Sequence, residues 1–202
     1  SYVSSDSLPA DFKLRLATDV SLAALLGEHV YSFGQLLQHP IMQALSGTPF
    51  AWLAEMLAAF NNGDMHAYDE LCVKYATQLN AQPALVAHER RLREKVTIMC
   101  LLELIANTPA EARTIPLSTI AARTKLDNDG VEFLLMKALA LHLIEGVIDG
   151  VDGRVHVSWV QPRILTKAQI QGLKDRLDGW IGKVSATALA LEADTVGMVD
   201  VA

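Results

Sequence analysis

Between Asn128 and Leu165 the apolar pattern changes period, and few folds accommodate that change. In GVEFLLMKALALHLI (130–144), Val131, Leu134, Leu135, Ala138 and Leu139 recur at helical spacing. The next stretch, EGVIDGVDGRVHVSWV (145–160), alternates: Val155, Val157 and Trp159 fall on every second residue, after an Asp-Gly-rich turn at 149–153. A shorter helical segment, Leu117 to Thr124, comes before, and Thr114-Ile-Pro can supply a short third strand. Helix, turn, second helix and a two-stranded wing together predict a winged helix. Such a module either reads DNA or assembles proteins, and its charges discriminate between the two.

Those charges oppose DNA. A helix in the major groove needs Arg, Lys, Asn or Gln toward base edges and basic neighbours for phosphates. The second helix offers Lys137 and His142 but opens with Asp129 and Glu132. From Thr114 to Val160 the basic residues are Arg123, Lys125, Lys137 and Arg154. Six acids oppose them, Asp127, Asp129, Glu132, Glu145, Asp149 and Asp152. The whole chain carries a formal net charge of −6. Phosphate neutralisation supplies most non-specific nucleic-acid affinity, so this balance predicts no nucleic-acid partner.

Half the residues are apolar and mean hydropathy is +0.24, yet no apolar run reaches bilayer length. The expectation is therefore no membrane partner, with the excess apolar surface spent on protein interfaces. No signal peptide is visible, and Ser1 in place of Met predicts a fragment. Cys72 and Cys100 both lie in apolar helical stretches and are expected as buried free thiols in a reducing compartment.

The first half reads as a string of short helices. Breaks fall at Gly27, at Pro40, at Ser46-Gly-Thr-Pro, at Asn61-Asn-Gly and at Asn80-Ala-Gln-Pro; Asp64 is placed to cap a helix over 65–79. Helix pairs joined by short turns predict a degenerate, HEAT/TPR-like helical repeat over residues 1–82. A long helix is predicted over 83–107. Its first half carries charges from His88 to Lys95, a run that reads as a solvated face or a partner contact, and its second half is apolar. It would link the repeats to the winged helix, giving a second unit over 83–165. Residues 166–202 form the third, a long helix and tail. Its apolar residues Ile170, Leu173, Leu177, Trp180, Val184, Ala188 and Leu191 recur near a 3.5-residue period, the seam of a helix packed beside others.

No catalytic, cofactor-binding or metal-ligating set emerges. The six histidines show no metal-ligand spacing, CxxC and HExxH are absent, and no phosphate-binding glycine loop occurs. His142 is expected half-buried in the core, and Trp52, Trp159 and Trp180 are expected to pack separately. Glu103, within an apolar helix end, predicts an Arg partner from a neighbouring element. The candidate interface residues are Val155, Val157 and Trp159 on the wing, and Ile170, Leu173, Leu177, Trp180 and Val184 on the last helix. The 154–159 strand is expected to pair with 144–149 and leave its other edge free for a partner strand; the alternative is an edge covered by the short strand near Ile115.

Mostly α, with a degenerate helical repeat, a non-basic winged helix with a small sheet and a long C-terminal helix, the chain resembles the PCI-domain family. That assembly module is shared by the proteasome lid, the signalosome and a translation initiation factor complex. The blocks LAALLGEHVYSFGQLLQHPIMQAL (22–45), WLAEMLAAFNNGD (52–64), VDGRVHVSWVQPRIL (151–165) and GLKDRLDGW (172–180) look like the lid members, and the similarity runs from about Leu8 to Leu191. The resemblance implies a non-catalytic scaffold of the cytoplasm and nucleus, without cofactor or small-molecule substrate, whose partners are other PCI subunits. It also implies further repeats ahead of this chain, which would then be a C-terminal half. A signalosome or initiation-factor subunit, or a winged-helix nucleic-acid binder, are the alternatives.

Overall fold

Prolines and capping side chains set the first helix boundaries. The structure is a computed structural model that describes residues 9–109, 112–164 and 167–199. Helix α1 (Ala10–Leu26) starts after Pro9, and α2 (Phe33–Gln38) gives way to a 3-10 turn over Pro40–Leu45. Helix α3 (Ala51–Asn62) ends at Gly63, whose φ of +60° is left-handed. A Cβ there would also lie 2.6 Å from Cys100 Cα and Met99 O, so only glycine fits. Asp64 caps α4 (Met65–Lys74) by accepting the Ala67 N–H at 3.0 Å, as its position predicts.

Two expected helices are interrupted. The 65–79 helix breaks at Tyr75, leaving α5 as Ala76–Asn80. Tyr75 steps to φ −110° and ψ 25°, and its hydroxyl lies 3.0 Å from Glu55 Oε1 on α3. The 83–107 helix breaks at His88 into α6 (Pro83–Ala87) and α7 (Glu89–Asn107). Neither break has a Gly or Pro at it, so a tertiary contact competes with helix propensity at Tyr75.

Helix α7 organises this part of the chain. Val96, Met99, Leu101 and Ile105 are fully enclosed, and α7 touches α1, α3, α4 and α6 as well as the elements that follow. Lys95 is buried among them. Its ammonium donates to the carbonyls of Ala24 and Gly27, both at 2.7 Å, closing the end of α1, and lies over the Tyr31 and Phe33 rings. Burial, reinforced by Arg91, pulls its pKa down to about 8.

After α7 come β1 (Thr114–Pro116), α8 (Leu117–Thr124), α9 (Asn128–Ala140), β2 (Ile144–Asp149) and β3 (Arg154–Val160). The strands form an antiparallel sheet in the order β1-β3-β2. Val131, Leu134, Leu135 and Ala138 of α9 face inward, as the period predicts, and Leu139 packs against the core's margin. One apolar core draws on residues from Ala17 to Val157. Cys100 is buried, but Cys72 is only half-buried. Trp52 belongs to the core, whereas Trp159 and Trp180 are exposed. His142 is exposed too: it follows α9 at φ +53°, where the chain reverses and Leu143 N–H reaches Ala138 O. Chain reversal, not core packing, decides its place.

Glu103 has the expected arginine. Arg163 donates from Nη1 to Glu103 Oε2 at 2.7 Å and from Nη2 to Asn61 O, so it joins α7 to the end of α3. Both side chains are largely enclosed, at 15% and 21% exposure. Arg163→Ala would leave that carboxylate and carbonyl poorly solvated, a loss of about 2 kcal/mol for a partly buried pair. At this size the melting temperature should fall by roughly 4–8 °C, which thermal denaturation by circular dichroism checks. An unchanged melt would mean that the pair is no more than a surface contact.

The residues after Arg163 form a second compact unit, Ile164–Ala202. Its described residues include α10 (Lys167–Val199), whose 33 residues span about 50 Å. No helix among the described residues is long and apolar enough to cross a membrane.

Candidate assembly surfaces

The middle place in the sheet goes to β3, and that corrects the expected free edge. β1 covers it: Ile115 stands opposite Val155, Thr114 opposite His156, and Val157 N–H donates to Arg113 O at 2.9 Å. Val155 and Val157 also turn their side chains into the core, at 0% and 2% exposure, so neither presents a surface to a partner. Trp159 differs. It lies beyond the reach of β1, opposite Glu145, at 39% exposure.

Among the described residues the open edge belongs to β2. Main-chain groups alternate sides along a strand. Val157 directs its N–H to β1, so Val155 does likewise, and Ile148 opposite Val155 turns its N–H and C=O away from the sheet. A bulge between Glu145 and Gly146 twists the start of this edge. Gly146 is fixed by close approach, since a Cβ would sit 2.2 Å from His156 O. Val147, on the outer face, is 69% exposed.

A second surface is the apolar run along α10. Ile170, Leu173, Leu177, Trp180 and Val184 are all exposed, Leu177 at 50% and Trp180 at 65%. Ile181 and Leu189 widen the run beyond a single seam. Gln171 Nε2 donates to Asp175 Oδ1 at 2.9 Å, one turn on, an ordinary polar-face contact.

Sequence reasoning missed a third surface. Phe133 and Met136 of α9 are 63% and 61% exposed, one turn apart. Both lie off the stripe formed by Val131, Leu134, Leu135 and Ala138, and that mismatch was the available signal. No cluster of His, Cys, Asp or Glu suited to a metal ion occurs among the described residues.

Comparison with known proteins gives these surfaces a context. A family model described as PCI domain matches residues 70–159, and one described as PSD13 N-terminal repeats matches residues 1–57. The chain is 56% identical over 198 residues to the 26S proteasome non-ATPase regulatory subunit 13 homolog B of Arabidopsis thaliana, covering 98% of this chain and 51% of that protein. It is 39% identical over 199 residues to the 26S proteasome non-ATPase regulatory subunit 13 of Dictyostelium discoideum, covering 98% and 52%. To the 26S proteasome regulatory subunit RPN9 of Saccharomyces cerevisiae it is 38% identical over 190 residues, covering 94% and 47%. The blocks at 22–45, 52–64, 151–165 and 172–180 look like the lid subunit that carries the number 9 in the yeast relative's name, RPN9, and the number 13 in the other two. The chain spans about half the length of the curated relatives it matches.

Proposed function

The chain belongs to the PCI-domain family, and on that premise we propose that it is a non-catalytic scaffold of the proteasome regulatory-particle lid, held among other PCI subunits in the cytoplasm and nucleus. The observation that carries this reading is the relatives' shared description as 26S proteasome regulatory subunits, across 94–98% of this chain. The geometry supports it. Unsatisfied edge groups and exposed apolar helix residues suit contact with other chains.

In this reading residues 1–82 are a degenerate helical repeat, and β1, α8, α9, β2 and β3 form a winged helix that holds proteins rather than DNA. The edge of β2 adds a strand or loop from a neighbour, with Trp159 beside it. Helix α10 enters a helical bundle. Tagged full-length protein recovered from cells should carry the other lid subunits, identified by mass spectrometry. Recovery of signalosome or initiation-factor subunits instead would refute the lid assignment.

The edge has its own test. Ile148→Pro and Ile148→Ala both lose the half-buried side chain, but only proline removes the outward N–H, which edge strands tolerate. The two should melt within about 1 kcal/mol of each other, while proline alone weakens assembly by one net backbone hydrogen bond, about 0.5–1.5 kcal/mol. Equal assembly of the pair would show that this edge is unused.

A further inference from the structure

A groove runs between the charged first half of α7 and the outer side of α9, about 580 Å³ in volume. Its apolar lining includes Leu126, Leu134 and the exposed ring of Phe133; Arg90, Arg91, Arg93 and Lys137 also line it. Glu94 is the one acid in the lining, within a chain whose net charge is −6. The groove is thus a local reversal of the molecule's sign. We propose that it docks an acidic segment of a partner protein carrying bulky apolar anchor side chains.

Charge complementarity selects the acid. Arg91 is held by Glu28 at 2.9 Å, Arg93 pairs with Asp69, and Lys137 pairs with Glu94. Arg90 has no such pair among the described residues. The paired cations are pre-positioned, so little side-chain freedom is lost when a ligand arrives, and Arg90 supplies the uncommitted charge. Phe133 and the groove floor select the anchor, since a bulky side chain seated there removes apolar surface from water. A polyanion such as RNA fits less well. An apolar floor gives phosphates nothing, and the acidic remainder of the surface, in a chain of net charge −6, repels a long anionic backbone. This proposal does not depend on the lid assignment, because the groove lies on α7 and α9 and not on β2 or α10.

The test is fluorescence anisotropy on the full chain with three labelled probes at low and physiological salt. One is a short Asp/Glu-rich peptide with Leu and Phe anchors, the second has those anchors replaced by Ser, and the third is a single-stranded RNA of matched length. The anchored peptide should bind tightest, weaken as salt rises, and lose about tenfold or more in affinity in the double variant Arg90→Glu, Phe133→Ala. Both positions are exposed, so the variant should melt as the parent does; Arg90→Ala alone gives a milder second variant. Failure of the anchored peptide to bind, equal binding of the Ser peptide, or indifference to the variants would overturn the proposal. Tighter binding of the RNA, lost in the same variants, would overturn it in favour of a nucleic-acid site.

Discussion

Val157→Pro should unfold the sheet rather than spare the fold and weaken assembly. Val157 sits in the middle strand, donates its N–H to Arg113 O at 2.9 Å and buries its side chain almost completely. Proline removes that donor, leaves the Arg113 carbonyl without this partner and places a ring where the β1 backbone approaches. The isopropyl group, buried in the same apolar core as Ile115 and Val155, is lost as well. Together these cost about 3 kcal/mol or more, which for a chain of this size lowers the melting temperature by roughly 10 °C. Thermal and denaturant unfolding measure it. A variant that melts with the parent would place Val157 on an edge after all and return the free-edge reading to β3.

This reversal shows where the sequence was legible. The alternation of Val155, Val157 and Trp159 defines a strand, and the turn at 149–153 defines its partner, because both are local signals. Which strand lies in the middle is not local. It depends on whether Thr114–Pro116, some forty residues away, reaches across to close the far side, and three residues are too short to announce that themselves. The same distinction explains the break at Tyr75, which lacks a helix-breaking residue and meets Glu55 of α3. Glu103 was readable from its setting, since a carboxylate at a dry helix end requires a cation; the apolar pattern around it could not single out Arg163. The surfaces divide likewise. The α10 run is visible as a seam, whereas Phe133 and Met136 stand out only once α9's inner stripe is known, so the α7–α9 groove stayed hidden between two separately sensible helices.

The largest functional effect should come from α10. Leu177 and Trp180 are exposed, and neither belongs to the apolar core that spans Ala17 to Val157. Truncating both should therefore leave helix content and the melt nearly unaltered. In a helical bundle with other subunits the same residues would be buried anchors. Loss of one such anchor commonly costs about 2 kcal/mol or more, and loss of two lowers the affinity for the bundle by roughly three orders of magnitude if their effects add.

The most direct measurement is incorporation of full-length subunit bearing Leu177→Ala and Trp180→Ala, expressed as the sole copy, into affinity-purified proteasome regulatory particle. Quantitative mass spectrometry of the particle reads its occupancy, and circular dichroism of the isolated chain reads its fold. The account predicts near-parental melting and a particle depleted of the variant. Full occupancy of the particle by the double variant, or a large loss of stability in the isolated chain, would contradict it.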